Sequence, residues 1–158
     1  MAYLTGRTQI FSGDTAVVDT TLEHPLGTRA FDAAGNEYIY LTGVASTAAG
    51  SWVYFDEALI TTLTVANSKG RIGVAMAAIV ASRYGWYQIY GKNTIALGSA
   101  AITSDNKLWV TATAGQVDDT DVAVDLIDGA IARGACSGAG STFTVELNYP
   151  ICLNEVKN

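Results

Sequence analysis

Charge is what this chain has least of. Only 15% of its 158 residues are Asp, Glu, Lys or Arg, against about 25% in ordinary soluble domains. Nine basic residues face fifteen acidic ones, for a formal charge of −6, and the basic ones stand singly from Arg7 to Lys157. Nucleic-acid binders and polybasic membrane anchors both rely on clustered Lys and Arg, so neither partner is expected. Histidine is scarcer still. The single His24 sits ahead of a proline in LEHPLG, which leaves a Ser or Cys nucleophile without an obvious base. The chain has no G-x-S-x-G, and GACSGAGST lacks the lysine and spacing of a phosphate-binding loop. Catalysis is therefore not expected, and an enzyme ranks last among the functional classes.

Cysteine is nearly absent too. Cys136 and Cys152 are too few for a disulfide framework, and two independent reduced thiols are expected. With one histidine they do not make a metal site; neither cofactor nor metal is expected. Long apolar runs are also lacking. The longest, IGVAMAAIVA at 72–81, is half of what a membrane-spanning helix needs. No charged segment followed by an apolar run opens the chain, so a protein without a signal peptide, made in a cytoplasm, is expected.

What is present is apolar and β-like. At 49% hydrophobic the chain lies far from the disordered class, and its length suits one domain. Few charges among many Ala, Gly, Thr and Val residues suggest a surface partly covered by copies of itself or by a partner. Alternation marks strands in EYIYLTGV (37–44), SWVYFD (51–56), GWYQIYGK (85–92), KLWVTAT (107–113) and STFTVELNY (141–149). In the last, Phe143, Val145 and Leu147 share one face. Turn formers at 32–36, 66–70, 104–106 and 137–141 separate these runs. MAAIVAS at 76–82 is compatible with one or two helical turns. An all-β domain, a small barrel or a sandwich, is expected over 36–158.

Residues 1–35 lack sustained alternation and read as an extended N-terminal arm, mobile or docked on something else. The domain also folds back on itself in sequence. EYIYLTGV, STAAGSWVYFD and GRIGVAMAAI run parallel to GWYQIYGK, GSAAITSDNKLWVTAT and DLIDGAIARG. A duplication of one β unit would explain the order.

Two stretches invite a binding role. VDDTDVAVDLID places Asp118, Asp119, Asp121, Asp125 and Asp128 close together, but it lacks the glycine and terminal Glu of a calcium loop. A solvated acidic turn is the plainer reading. RYGWYQIYGK (83–92) divides by parity, with Trp86, Gln88 and Tyr90 on one face and Gly85, Tyr87, Ile89 and Gly91 on the other. Rings on both faces suit a central strand covered by core on one side and a neighbour on the other.

GRIGVAMAAIVASRYGWYQIYGK, KLWVTATAGQVDD, DLIDGAIARGA and VELNYP, taken in order, resemble small virion proteins of tailed bacteriophages. In that group a YGWVQ-x-x-G strand precedes an L[YW]-x-TATAG-x-[VL]DD strand and an LNYP ending. The resemblance covers the C-terminal half and hardly touches the arm. It implies a capsid decoration, or cement, protein: a small β-barrel on the outer face of the head. It also implies binding to the major capsid protein lattice, often as a homotrimer, with no active site. The contact is expected to involve the arm, through Arg7, Ile10, Phe11 and His24, together with Trp86, Tyr87 and Tyr90. The competing classes are a tail- or fibre-associated protein and a carbohydrate-binding module, in which Trp86, Tyr87 and Tyr90 would face sugars.

Overall fold

Alternation decides where the strands of this protein go. Along 142–148 of the last strand, Phe143, Val145 and Leu147 are buried while Thr142, Glu146 and Asn148 are exposed. A computed structural model describes residues 14–122 and 124–153. Among them are thirteen strands and no helix: β1 (Val18–Asp19), β2 (Arg29–Phe31), β3 (Glu37–Thr42), β4 (Trp52–Phe55), β5 (Thr61–Leu63), β6 (Gly70–Ala75), β7 (Tyr84–Leu97), β8 (Ala101–Ile102), β9 (Lys107–Val110), β10 (Val117–Asp118), β11 (Leu126–Ala132), β12 (Cys136–Ser137) and β13 (Thr142–Cys152). The expected all-β class is what forms. Residues 76–82, which were compatible with helical turns, make the connection between β6 and β7.

Eleven strands form one antiparallel sheet in the order β10-β9-β11-β13-β6-β7-β3-β2, with β4 on β6, β5 on β4 and β1 on β7. Strands β8 and β12 pair separately. The path has free ends at β10 and β2, and the described strands do not close into a barrel. Closure fails because β7 and β13 each change neighbours part-way along, so the sheet branches.

Three cores result, separated by ribbons whose alternating side chains serve two of them at once. On the β4–β6 ribbon, Trp52, Ile72 and Val74 pack with Leu108, Val110, Ile127 and Val145. The opposite face of the same ribbon sends Val53, Phe55 and Ala75 to meet Ile39, Leu41, Tyr87 and Ile89. On the β3–β7 ribbon, Tyr38, Tyr40 and Trp86 turn away from that second core into a third with Ala30. Each fully buried large apolar side chain contributes about 1.5–3 kcal/mol.

The pairing also follows the repeat read in the sequence. Strand β4, bearing Trp52, pairs with β5 and β6; strand β9, bearing Trp109, pairs with β10 and β11. The third strand of each unit then meets the next long strand, β6 against β7 and β11 against β13.

The arm boundary expected at residue 35 does not hold. Val18 and Asp19 pair with Gly85 and Tyr84, and Arg29–Phe31 pairs along β3. The Tyr40 N–H donates to Thr28 O at 2.9 Å, the Gly27 N–H donates to Tyr40 O at 2.8 Å, and the Tyr40 hydroxyl donates to Asp19 at 2.5 Å. Strands of two and three residues are too short to alternate visibly, which is why the sequence hid them. Arg7, Ile10 and Phe11 lie outside the described residues.

Candidate functional site

Strand β7 carries three of the expected contact residues, and the structure sends them to three different places. Trp86 is buried in the third core, where the His24 ring lies 5.4 Å from it and 5.1 Å from Tyr40, edge-on to the latter. His24 and Trp86 are thus brought together, as a lid and the ring beneath it, within one chain. Tyr87 is fully buried on the other face and donates its hydroxyl to Thr42 O at 3.2 Å; burial pushes its phenol pKa up. Tyr90 alone is open, 40% exposed. The arrangement of Trp86, Tyr87 and Tyr90 as one sugar-facing platform is therefore corrected: parity puts Tyr87 behind the sheet, and residues 19–31 cover Trp86.

Tyr90 has a different partner. Its ring lies 5.2 Å from that of Tyr149, which is 49% exposed. The pair sits where two strands kink side by side. Strand β13 pairs with β7 as far as Asn148 opposite Tyr90, then with β6 from Ile151 opposite Arg71. Tyr149 takes up the change with φ 48°, a left-handed conformation that costs a bulky residue about 1–3 kcal/mol. Opposite, Gly91 kinks β7 with φ 92°, and a Cβ there would stand 2.1 Å from Asn36 Oδ1. Only glycine fits.

Much polar structure holds these kinks. The buried Gln88 amide donates to Tyr90 O at 3.0 Å and to Lys92 O at 3.1 Å, spanning Gly91. Asn93, also buried, donates to Gln88 Oε1 at 3.0 Å. Asn36 Oδ1 accepts the Lys92 N–H at 2.9 Å, and Asp32 holds Asn36 through both its backbone and its amide, at 2.9 and 2.7 Å. Burial raises the Asp32 carboxyl pKa, and hydrogen bonds from Asn36, Tyr38 and the Ala34 N–H outweigh it, so the group ends below the ordinary carboxylate range.

The Tyr149 ring is fixed from beneath. Its hydroxyl donates to Glu37 Oε2 at 2.5 Å, and Arg29 Nη1 donates to Glu37 Oε1 at 2.7 Å. Glu37 is 2% exposed, so the carboxylate is a buried charge satisfied by these two donors. The bond to Glu37, and burial after it, raise the Tyr149 phenol above its usual pKa. Beside the ring pair, a surface groove of about 630 Å³ runs between Tyr90, Lys92, Arg133, Glu146 and Asn148. Arg133 is engaged there, bonded to Asp105 at 2.7 Å and Glu146 at 2.8 Å.

The acidic stretch does not gather. Asp119 accepts from the Thr103 N–H and Asn106, Asp125 is buried and accepts from the Asn67 N–H, and Asp118 caps the Thr120 N–H. Among the described residues no three Asp, Glu, His or Cys side chains converge on a metal position. Cys136 and Cys152 are both buried, and neither is part of a disulfide. No described helix is long and apolar enough to cross a membrane.

Comparison with protein-family models, curated proteins and solved structures returned no match. Sequence reading missed Tyr149, Arg29, Lys92 and Glu37 as a group. One signal was there: Pro150 inside a strand marks a bulge or a change of partner, and Tyr149 precedes it.

Proposed function

We propose that this protein is a non-catalytic virion structural protein that docks on the outer surface of an assembled phage capsid and stabilises it. The observation that carries the reading lies at the end of the sheet where β3 stops and β7 starts. The Gly43 N–H donates to Arg83 O, the Val44 N–H to Ile79 O and the Thr42 hydroxyl to Leu59 O, drawing three segments together beside β1. Those segments expose Val17, Ile60 and Val80. In the sequence Val17 follows a segment that holds Arg7, Ile10 and Phe11. Apolar side chains at a rim, next to a segment of mixed polarity, suit a docking contact.

The mechanism is mass action: a protein that binds only the assembled lattice lowers the free energy of that lattice. A homotrimer would add avidity by engaging several capsid subunits together. The test is co-sedimentation with undecorated heads. Removing residues 1–13 should abolish binding and leave the melting transition in place. Residues 14–30 must stay, since they carry β1 and the lid on Trp86. Should both this truncation and a Val17→Asp, Ile60→Asp, Val80→Asp variant still saturate heads, the proposal fails.

A further inference from the structure

The geometry points to a second, independent site: the groove beside Tyr90 and Tyr149 binds a short oligosaccharide. Its size, about 630 Å³, falls within the range of about 300–1,000 Å³ typical of small-ligand sites. One end is lined by Tyr90, whose exposed ring is set 5.2 Å from that of Tyr149 and can cover the apolar face of a sugar ring while its hydroxyl stays wet. The walls offer Lys92, Asn148 and Glu146, a donor, an amide and an acceptor suited to ring hydroxyls. Among the described residues Lys92 takes part in none of the ion pairs, so its ammonium is available.

The floor argues against a peptide. Strands β7 and β13 are paired with each other beneath the groove, so an added strand would find no free backbone donors or acceptors there. Recognition must come from side chains, as it does for sugars. The site is also built in advance. Gln88, Asn93, Asn36 and Asp32 all serve to hold the turn from Tyr90 to Lys92, and buried Glu37 aims Tyr149. Strain and buried polar networks of this kind accompany ligand sites because they fix contact groups before binding.

The position fits an outward-facing role. Tyr90 lies six residues along β7 from Tyr84, about 20 Å at the usual rise per residue, away from the rim described above. The inference stands without the docking proposal, and failure of either leaves the other in place.

The test is an NMR titration of the full chain with lactose, cellotriose, chitotriose and sialyllactose in turn, at millimolar concentrations. At least one sugar should shift the amide resonances of Gly91, Lys92 and Asn148. Tyr90→Ala should weaken that binding about tenfold. Tyr149→Asn, which removes the ring but tolerates the left-handed backbone, should weaken it as well. His24→Ala, at the sealed cluster, should leave it unchanged. If no sugar in the panel moves these resonances, or if the tyrosine variants bind as tightly as the native chain, the inference is overturned.

Discussion

Strand β7 holds two aromatic clusters, and they behave in opposite ways. At one, Trp86 meets Tyr40 at 5.1 Å under the His24 ring, closed over by residues 19–31. At the other, Tyr90 meets Tyr149 at 5.2 Å with both rings in solvent. The residue types hardly differ. What differs is where the polar investment goes. Around Trp86, hydrogen bonds fasten a covering segment to the sheet; around Tyr90, they fasten a kink that keeps rings out of it. Burial of the first set stabilises the fold, whereas the second set consumes strain and buried polar groups without burying the rings. That pattern is what the proposed sugar site rests on.

The comparison predicts unequal responses to the same truncation. Trp86→Ala should lower unfolding stability by about 3–5 kcal/mol, the usual cost of emptying a large core site, as read by urea denaturation. Tyr90→Ala should cost under about 1 kcal/mol, like other exposed sites. Equal losses would dissolve the distinction between the two clusters.

Next in size is the kink. Gly91→Ala forces a Cβ against Asn36 and a side chain into positive φ, and should cost about 1–3 kcal/mol. Gln88→Leu should cost a similar amount by leaving the carbonyls of Tyr90 and Lys92 short of a donor. Either change should also move the Tyr90 and Tyr149 resonances, while the His24 ring signal stays put.

A smaller effect is expected in acid. Asp32 titrates below its unfolded value of about 3.9. Its contribution is therefore present above that value and is lost as pH falls through the lower folded one. Asp119 is lowered too, first by the Thr103 N–H and then by Asn106 against an opposing desolvation, so it adds in the same direction. Asp32→Asn should flatten part of the stability loss below about pH 4, measured as melting temperature against pH. An unchanged acid limb would remove Asp32 from the support of the open end. The smallest change is expected for Tyr149→Asn, where relief of left-handed strain offsets loss of the Glu37 bond to within about 1 kcal/mol.

How legible was all this? Parity along 85–91 placed Trp86 and Tyr87 on opposite faces, as they are, and alternation in 142–148 named the buried side of β13. The paired Trp-bearing strands were visible as a repeat. Residues 18–31 were misread as a detached arm, because a strand of two or three residues carries no period and its hydrogen bonds are all to distant partners. The open site was hidden for a related reason. Glu37 and Tyr149 are 112 residues apart, and no local pattern joins them. Gly91 hinted at a close backbone approach, but the left-handed Tyr149 is a residue no propensity would place there.

The sequence by itself determined that this chain is β-structured, which residues alternate toward a core, and that Trp86 and Tyr87 face opposite ways, because period-2 patterning acts within a few residues. Tertiary structure alone decided which rings stay in solvent. That outcome depends on β7 and β13 changing neighbours at the same level, and on Gln88, Asn36 and Glu37 reaching the resulting kinks from strands and turns far away in the chain.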